Sequence, residues 1–400
     1  MSSARPVSIL PHKMEPIRIC RVINAMWTGG VQVRLLALLP VLKERGCLPH
    51  VVTLRTRGEL APQLEELGIP CTHLRIQGRL HPPSLNKLRR FFLEQRFHVV
   101  HTHMYQANVS GTAAARLAGV PCVVSQMHNV DMYQKRRQAW TDRLMMPLRD
   151  RMLAVSEAVA LNTARHLRIA PERIGVLHNG IDTTPPPGLR SRADVLDELR
   201  LPADSIVIIH VARLHAQKNH QAFLREFPRI LKIAPSVRLL LVGQGNERHD
   251  LEQLVRELDI HRAVRFLGNR TDVPELLNAA DISILPSLKE GFSNVILESM
   301  VHRAALVVTD VGGAREQLRD SIDGYIVPHH DMTAFRELVT KVAMNPGLRE
   351  RLTTSAATRV QEFSIARMAD RTLAIYEDVL RRKKAWPGAT ESVTADEPTA

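Results

Sequence analysis

Glu290 and Glu298 are two carboxylates eight positions apart in the segment LPSLKEGFSNVILES, and together they could bind several hydroxyl groups of one ligand. The apolar run before them, residues 282–285, predicts a buried strand. Ser293 is a favourable N-cap residue, so a helix is expected to start close to it. Glu290 would then lie in the loop beyond the carboxyl end of the strand, and Glu298 about one turn into the helix.

The first turn of that predicted helix offers groups of a second kind. A helix leaves its first N–H groups without intrahelical partners, and a phosphate group binds well at such an end. Carboxylates beside a phosphate-binding helix terminus suit a nucleotide sugar, in which hydroxyl groups flank a diphosphate. The alternative is a solvent-exposed helix face without a ligand. The N–H groups expected to point between the two carboxylates are those of Phe292, Ser293, Asn294 and Val295.

The residues around the two glutamates make the pattern more specific. Pro-Ser precedes the first glutamate, Gly-Phe follows it, and Asn-Val and Leu lie before the second. The segment resembles the Glu-x7-Glu motif of the family 4 retaining glycosyltransferases, which have the GT-B fold. That resemblance implies that Glu290 faces the donor hexose and that Glu298 holds the ribose hydroxyl groups. It also implies retention of anomeric configuration by front-face attack, with the leaving phosphate taking the proton of the acceptor.

Two cations and two glycines also follow predicted strands, and open parallel sheets bind ligands beyond the carboxyl ends of their strands. Arg213 and Lys218 come after the apolar run 206–211 and match an Arg and Lys pair of the family. They would compensate the negative charge that builds on a leaving diphosphate. Gly29 and Gly30 match the glycine loop of the family, which lies by the donor phosphates and the acceptor. Surface cations and a tight turn are the alternatives for these two pairs.

Three histidines and two loops complete the candidate site. His128 closes a predicted strand and matches the first-domain histidine of the family, which reaches the donor sugar across the cleft. A purely structural histidine is the alternative. The spacing of His101 and His103 could indicate a metal site, but no third ligand accompanies them, so substrate contact or packing at the strand end is expected. Gly243 and Arg270 lie in loops that resemble those beside the nucleotide base.

The segment after Glu298 departs from the family pattern. Arg303 replaces the usual glycine, and Ala305 replaces the usual proline. A glycine at that position ends the helix with a positive φ, so Arg303 predicts either a different cap or some strain. The effect is expected on loop shape and stability more than on activity.

A divalent metal ion is not expected at this site, and no cofactor is expected besides the donor substrate. The sequence contains no Asp-x-Asp pair, which binds the metal ion in the other large glycosyltransferase fold. The diphosphate would instead be neutralised by Arg213, Lys218 and the N-terminus of the helix that starts near Ser293. These features predict a metal-independent enzyme.

Strand-like apolar runs alternate with helical patterns throughout the chain, seven of them before a proline-rich stretch at 183–188 and six after it. This alternation predicts an α/β fold of two doubly wound Rossmann-like domains that face each other across a cleft. The expected divisions are an N-terminal extension at 1–16, an acceptor-side domain at 17–186 and a nucleotide-sugar-binding domain at 187–362. The resemblance implies that a helix at 363–384 packs back on the first domain, and composition predicts a disordered tail at 385–400.

The formal net charge of +13 belongs to the first domain. Residues 1–180 hold 25 Lys and Arg against 11 Asp and Glu, whereas residues 181–400 hold 29 against 30. The basic residues are densest at 87–92 and 135–151, where aromatic and Met side chains accompany them. This mixture is typical of a surface that binds an anionic membrane. Nucleic acid is a rival partner without a supporting motif, and a solvated basic face without a partner is the third possibility.

Cysteine usage and hydropathy bear on the location of the protein. The four cysteines fit neither a zinc spacing nor a disulfide framework, so buried free thiols and a reducing cytoplasm are expected. No stretch has the length of uncharged apolar residues that a spanning helix needs. The expected location is the cytoplasm, with peripheral association at the inner face of the cell membrane.

These patterns predict transfer of a hexose from a nucleotide diphosphate sugar to a hydroxyl acceptor, such as a lipid-linked or cell-surface glycan precursor in polysaccharide biosynthesis. One alternative is a catalytically silent, membrane-associated adaptor of the same fold, which would bind a nucleotide without turnover. Another is a sugar-nucleotide epimerase of the GT-B type, a class that does not normally carry the Glu-x7-Glu motif.

Overall fold

The first half of the chain forms a seven-stranded parallel sheet. The computed structural model describes residues 15–130 and 136–387, and the strand order in this sheet is β3-β2-β1-β4-β5-β6-β7. Its strands are β1 Ile17–Ile23, β2 Cys47–Thr53, β3 Cys71–His73, β4 Val99–His103, β5 Cys122–Met127, β6 Arg151–Ala154 and β7 Ile174–Val176. The helices among them are α1 Gly30–Glu44, α2 Ala61–Glu66, α3 Pro82–Gln95, α4 Tyr105–Leu117, α5 Arg136–Met145 and α6 Glu157–Leu167.

The second half repeats this architecture with a six-stranded parallel sheet of order β10-β9-β8-β11-β12-β13. Its strands are β8 Ile206–Val211, β9 Val237–Val242, β10 Val264–Gly268, β11 Ile282–Leu285, β12 Ala305–Thr309 and β13 Tyr325–Val327. The helices are α7 Arg192–Glu198, α8 His220–Ile233, α9 Arg248–Glu257, α10 Val273–Ala279, α11 Asn294–Val301, α12 Ala314–Gln317, α13 Met332–Met344, α14 Pro346–Arg359 and α15 Ile365–Arg382.

In each sheet the strand order reverses at one place, and open α/β sheets bind their ligands at such a switch point. In the first sheet β1 pairs with both β2 and β4, so the crevice lies beyond the carboxyl ends of β1 and β4. In the second sheet β8 pairs with both β9 and β11. Residues that directly follow β1, β4, β8 and β11 are therefore placed where a ligand would bind.

All thirteen predicted strands are present, and the two parallel sheets with crossover helices confirm the predicted α/β fold of two Rossmann-like domains. Strand β2 differs most from the apolar run that predicts it, residues 51–54, because the strand already begins at Cys47. Cys47 pairs with Ile17 at the start of β1. The sequence does not show this extension because Pro49 interrupts the apolar pattern. In the structure Leu48, just before it, is 49% exposed.

Two passages of the chain connect the domains, and they pair with each other. The N–H of Ile181 donates to the carbonyl of Phe363 at 2.8 Å, and the N–H of Ile365 donates to the carbonyl of Ile181 at 2.7 Å. Helix α15 begins directly after this pairing, with Ser364 as its N-cap, and packs against α1. The last helix is thereby attached to the first domain.

The side chains that α15 buries include Met368 and Tyr376, which belong to the same apolar core as β1 and α1. Trp386, beyond the end of α15, is only 8% exposed and lies in this core too. The predicted disordered tail therefore begins too early at residue 385, because an aromatic side chain in that segment finds an apolar site. The remainder of the tail, 388–400, and residues 1–14 of the predicted extension lie outside the described residues.

The two domains share an apolar contact on one side of the cleft. Met127 and Val155 of the first domain lie in one buried cluster with Phe292 and Ile296 of the second. The ring of Phe292 stacks on His178 with 4.9 Å between ring centroids. Apolar burial of this kind is favourable and non-directional, so it fixes the two sheets against each other without competing for the polar groups of the cleft.

Only some of the side chains in the two basic segments lie on the surface together. In α3 Phe92 is buried in the core, whereas Phe91 is partly exposed and the basic residues Lys87 and Arg90 are exposed. Arg149 is also buried, where it pairs with Asp142. Lys135 lies outside the described residues. Within residues 15–130 and 136–387, no helix has the length and apolarity that crossing a membrane requires.

Helix α5 does keep an exposed apolar pair beside basic residues. Trp140 is 62% exposed and Leu144 is 67% exposed, one helical turn apart, and both Arg136 and Arg137 on the same helix are exposed. Large apolar side chains at this exposure are candidates for contact with another apolar surface.

Candidate active site

Lys218 and Glu290 meet beyond the carboxyl ends of β8 and β11, at the switch point of the second sheet. The Nζ of Lys218 lies 2.5 Å from Oε1 of Glu290, and both side chains are mostly buried. Two further hydrogen bonds join the loops that carry them. The side-chain amide of Gln217 donates to the carbonyl of Lys289 at 2.7 Å, and the N–H of Leu288 donates to the carbonyl of Gln217 at 2.8 Å. Backbone contacts therefore hold the ion pair in place.

Arg213 lies in the same β8 loop but has a different environment. Its side chain is exposed, and among the described residues it has no ion-pair partner. It thus remains available to a ligand, whereas Lys218 is already engaged. The structure places both predicted cations at the mouth of the second domain.

Glu298 is held from the opposite domain. Its Oε1 lies 2.9 Å from Nη2 of Arg34, and Nη1 of Arg34 donates to the carbonyl of Gly180 at 2.7 Å. Arg34 is buried on α1, while 25% of the Glu298 side chain is exposed. Burial raises the pKa of Glu298, and the positive charge of Arg34 opposes that rise. The carboxylate therefore depends on a cation that lies far away in the sequence.

The N-terminus of α11 is only partly as predicted. Ser293 precedes the helix in an extended conformation, but its side chain makes no capping hydrogen bond. Its N–H donates instead to Oε1 of Gln317 at 3.1 Å, and Nε2 of Gln317 donates back to the carbonyl of Ser293 at 2.7 Å. The prediction that the Ser293 N–H is free for a phosphate is therefore wrong, because a glutamine from α12 occupies it.

Asn294 makes the closest link between this helix and the predicted glycine loop. Its Nδ2 donates to the carbonyl of Gly30 at 3.0 Å, and its Oδ1 accepts a hydrogen bond of 3.0 Å from Asn179. A Cβ atom at Gly30 would lie 3.0 Å from Nδ2 of Asn294, so a larger residue would require the Asn294 side chain to shift by a few tenths of an ångström. The structure thus brings Gly29 and Gly30 to the N-terminus of α11, which also carries Val295 in its first turn.

His128 also lies against the segment that carries Glu290. A Cβ atom at Gly291 would stand 2.1 Å from the carbonyl oxygen of His128, so only a glycine allows this approach between the domains. The His128 ring is partly exposed, and its Nε2 lies 3.0 Å from Nδ1 of His103. Burial, and then the positive charge of Arg21, lowers the pKa of His128 to about 3. The ring is therefore neutral at physiological pH.

The two base-side residues fall in different surroundings. Gly243 has a φ of +132° and lies so close to the Ala212 carbonyl that a Cβ atom would stand 2.1 Å from it. Arg270 has its guanidinium engaged by Asp272 at 2.6 Å and by Glu198 at 2.9 Å. Hydrogen bonds to these two carboxylates, chiefly Asp272, raise the pKa of Arg270. Its charge is thus already compensated by these two carboxylates.

Arg303 takes the strained alternative of the two that the sequence predicts. Its φ is +59°, in the left-handed region. The N–H of Ala304 donates to the carbonyl of Ser299 at 3.0 Å, and the N–H of Arg303 donates to that of Met300 at 3.4 Å. These two bonds form a Schellman motif, the helix ending that a glycine at this position normally supports. The loop shape is retained, and the cost is backbone strain.

Several residues of the site are missing from the sequence prediction, above all Arg34 and Arg21. Both are single cations within apolar stretches, Arg34 in VQVRLLALL of α1 and Arg21 in ICRVI of β1. A buried cation is costly unless it has a task, so this pattern could have indicated them. Gln317 and Asn179 had no comparable signal, because their roles arise from contacts between distant segments.

Within residues 15–130 and 136–387, no group of three or more His, Cys, Asp or Glu side chains could hold a metal ion. His101 and His103 stack on each other inside the first domain instead, with 4.6 Å between ring centroids.

Comparison with known families covers both domains. The model of the Glycosyltransferase Family 4 matches residues 28–185, and the model of Glycosyl transferases group 1 matches residues 191–359. The two matches together include the glycine loop, His128, the β8 loop and both glutamates, and they meet at the proline-rich linker.

Curated relatives and a solved structure extend this comparison to most of the chain. The chain is 26% identical over 310 residues to the UDP-Gal:alpha-D-GlcNAc-diphosphoundecaprenol alpha-1,3-galactosyltransferase of Escherichia coli, covering 75% of this chain and 80% of that enzyme. It is 27% identical over 391 residues to the D-inositol 3-phosphate glycosyltransferase of Thermobifida fusca, covering 88% and 89%. The crystal structure of Anabaena Alr3699/HepE in complex with UDP-glucose superposes with a TM-score of 0.79 at 20% identity, covering 90% of this chain and 100% of that one.

Proposed function

The chain belongs to the family 4 glycosyltransferases, with the GT-B fold, and from this premise we propose that it is a retaining, metal-independent hexosyltransferase. It would move a hexose from a nucleotide diphosphate sugar to a hydroxyl acceptor. The observation that carries the proposal is the pairing of both glutamates with cations on either side of the α11 N-terminus.

In this proposal Glu298 binds the ribose hydroxyl groups and Glu290 binds hydroxyl groups of the hexose. Each carboxylate has one oxygen on its cation, so the other oxygen can accept from a ligand. Glu290 lies beside the Lys218 ammonium and would also stabilise the oxocarbenium-like charge of the transition state. His128 would orient the hexose from the first domain, since it abuts Gly291 next to Glu290.

The diphosphate would be bound by Lys218, by the exposed Arg213 and by the N-terminus of α11. Charge builds on the β-phosphate as its bond to the anomeric carbon breaks, and fixed cations stabilise that charge. The acceptor oxygen would form its bond on the same face of the sugar, and its proton would pass to the departing β-phosphate. Such a reaction requires no metal ion, and Asn294 and Gly30 would define the floor of the phosphate site.

We propose a lipid-linked acceptor, reached from the membrane surface. The E. coli relative acts on a diphosphoundecaprenol-linked sugar, as its name states. The first domain of this chain carries the net positive charge, and α5 exposes Trp140 and Leu144 beside Arg136 and Arg137. A basic helix with exposed apolar side chains would bind an anionic bilayer at its interface and hold the cleft near a lipid substrate. The protein would then work in the cytoplasm at the inner face of the cell membrane.

The donor screen is the first test. The purified protein is incubated with UDP and GDP sugars in EDTA, beginning with UDP-glucose and UDP-galactose, while thermal stability and release of the nucleoside diphosphate are measured. Stabilisation by one nucleotide class together with slow release supports a metal-independent transferase. Binding without release in the presence of mixed acceptors would favour the silent adaptor, and conversion of the free nucleotide sugar to its epimer would favour the epimerase. Absence of any binding would refute the proposed donor site.

Liposome sedimentation separately tests the proposed binding to an anionic membrane. The wild type should sediment with vesicles that contain anionic lipid and much less with neutral vesicles, and Trp140→Ala with Leu144→Ala should reduce sedimentation several-fold. Ile322→Ala is the control, because Ile322 is an apolar residue of the second domain that is 50% exposed. Equal sedimentation of the wild type with neutral and anionic vesicles would refute the membrane proposal.

A further inference from the structure

A row of buried polar side chains runs from the interior of the first domain to His128. Nη1 of Arg21 lies 2.8 Å from Nδ1 of His101 and 3.3 Å from Nε2 of His103. Nδ1 of His103 lies 3.0 Å from Nε2 of His128. At the other end, the hydroxyl of Tyr376 on α15 lies 2.7 Å from Nδ1 of His101. The row thus joins β1, β4, the end of β5 and the last helix.

Arg21 has no carboxylate partner in this row. Its side chain is 1% exposed, and in the described part of the chain its Nε and Nη2 have no hydrogen-bond partner. The ring of Tyr376 lies 5.7 Å from its guanidinium carbon. A buried charge without an opposite charge destabilises the fold. The arrangement is therefore unlike a structural ion pair such as that of Arg149 with Asp142.

The chemistry of arginine determines the protonation of its neighbours. A guanidinium has donors only, so the nitrogen atoms that it contacts, Nδ1 of His101 and Nε2 of His103, must be acceptors. A neutral His103 that accepts at Nε2 carries its proton on Nδ1 and donates it to Nε2 of His128. His128 then accepts at Nε2 and carries its own proton on Nδ1. One buried cation thereby sets the tautomer of two successive rings.

We propose that Arg21, acting through His103, holds His128 in the neutral form that carries its proton on Nδ1, so that His128 presents a single N–H donor to the cleft. Arg21 and His103 are positioning residues in this scheme, since neither reaches the cleft. His128 is the partly exposed member of the row, and among the described residues its Nδ1 makes no hydrogen bond.

The electrostatics of the row agree with this geometry. Burial, followed by the charges of Arg21 and of the neighbouring histidines, lowers the pKa of His101 well below its usual value. The pKa of His103 is also well below its usual value, because of burial and then the charges of His128 and Arg21. His128 would consequently neither donate a proton to the leaving phosphate nor pair with it as a cation. Its effect on transfer rests on the proposed function, in which the N–H would bind an oxygen of the donor hexose.

The tautomer of His128 can be measured without any turnover. The full-length protein is labelled with 15N-histidine, and long-range 15N–1H correlations identify which ring nitrogen of each histidine carries a proton. The His128→Asn spectrum assigns the signals of His128 by their loss. The expected result in the wild type is a protonated Nδ1 and an unprotonated Nε2 at neutral pH. A protonated Nε2 on His128 would overturn the proposal outright.

Variants then test the part played by His103 and Arg21. His103→Phe keeps a ring of similar size but removes the donor to His128, and Arg21→Met removes the cation while keeping an unbranched side chain. In both variants His128 should become a mixture of tautomers, and kcat/KM should fall about tenfold, the value of one hydrogen bond. His101→Phe is the matched control, because His101 contacts Arg21 but not His128, and it should leave the His128 tautomer unchanged.

Two results separate this inference from the proposed function. If His128 keeps the Nδ1 proton in both His103→Phe and Arg21→Met, then the surroundings and not this row set the tautomer, and the inference fails. If the tautomer changes as expected but the wild type transfers no sugar, then the inference stands and the proposed function fails.

Discussion

Glu290 and Glu298 are the same residue type on one short segment, yet the molecule holds them in two different ways. Glu290 pairs with Lys218 of its own domain, and backbone bonds between the β8 and β11 loops keep that pair together. Glu298 pairs with Arg34 of the other domain. The first pair can form within the second domain alone, whereas the second exists only when the two domains close on each other. In the proposed function, this difference means that the groups acting on the hexose are assembled within one domain, whereas the nucleotide end of the site is completed only by closure.

The largest expected effect comes from breaking the pair within the second domain. Glu290→Gln and Lys218→Ala should each lower kcat about 10²- to 10³-fold, because each removes a group that acts on charge developing in the transition state. Steady-state kinetics with the donor found in the screen measures this loss, and thermal melting should reveal a fold that remains intact. Gln217→Ala, on the same loop, removes one of the two hydrogen bonds between the loops but keeps the ion pair and the backbone bond from Leu288, so it should lose far less. Turnover equal to the wild type in both variants would remove these residues from the reaction.

Breaking the pair between the domains should act on binding rather than on the chemical step. In Arg34→Met, Glu298 remains buried but loses the positive charge that pairs with it. We therefore expect donor affinity to fall about tenfold, roughly 1.4 kcal/mol, with a smaller change in kcat. Calorimetric titration with the nucleoside diphosphate measures the affinity. A change confined to kcat would contradict the assignment of Glu298 to the nucleotide.

The pH dependence of the same variant sharpens this comparison. Burial already raises the pKa of Glu298, and the loss of Arg34 should raise it further. A protonated Glu298 accepts fewer hydrogen bonds from ribose, so nucleotide affinity should fall as pH drops through this pKa, and the fall should begin at higher pH in Arg34→Met. Because the folded pKa lies above the unfolded one, the contribution of Glu298 to stability is present at low pH and is lost as pH rises through the folded pKa. If nucleotide affinity falls with the same pH midpoint in both proteins, Arg34 and Glu298 are not coupled.

A smaller effect is expected where the two domains touch through glycine. Gly291→Ala would place a methyl group 2.1 Å from the His128 carbonyl, so the domains must shift and stability should fall by about 1–3 kcal/mol. Gly347→Ala is the matched control, since the nearest atom to its new methyl group would be 3.7 Å away. Chemical denaturation measures both. Equal stability of Gly291→Ala and the wild type would mean that the closed arrangement is not the dominant one.

The smallest effect concerns the strained end of α11. Arg303→Gly should stabilise the protein by about 0.5–1 kcal/mol, because glycine adopts the observed φ of +59° without steric cost, partly offset by its larger freedom in the unfolded chain. Thermal melting tests this, with activity unchanged, since the Schellman motif is already formed. A decrease in the melting temperature would indicate that the Arg303 side chain makes a compensating contact.

The fold was largely predictable from the sequence because strands of parallel sheets are continuous apolar runs. Runs such as Ile17–Ile23 and Ile282–Leu285 coincide with strands of the structure. The charged loops after β8 and β11 were predictable too, since each directly follows the apolar run that forms its strand. The orientation of side chains in α3 was not predictable, because composition does not reveal that Phe92 faces inward while Lys87 and Arg90 face outward.

The linear order of residues was enough to determine the two-domain α/β architecture, the positions of Glu290 and Lys218 at strand ends, and the unusual helix ending at Arg303. These features depend on local periodicity and on spacing within one segment. Only the tertiary structure decided that Arg34 lies on Glu298, that Gln317 takes the Ser293 N–H and that Arg21 connects through His103 to His128. Each of those contacts joins segments far apart in the chain, and it forms only because packing of the sheets and of α11 brings the segments together.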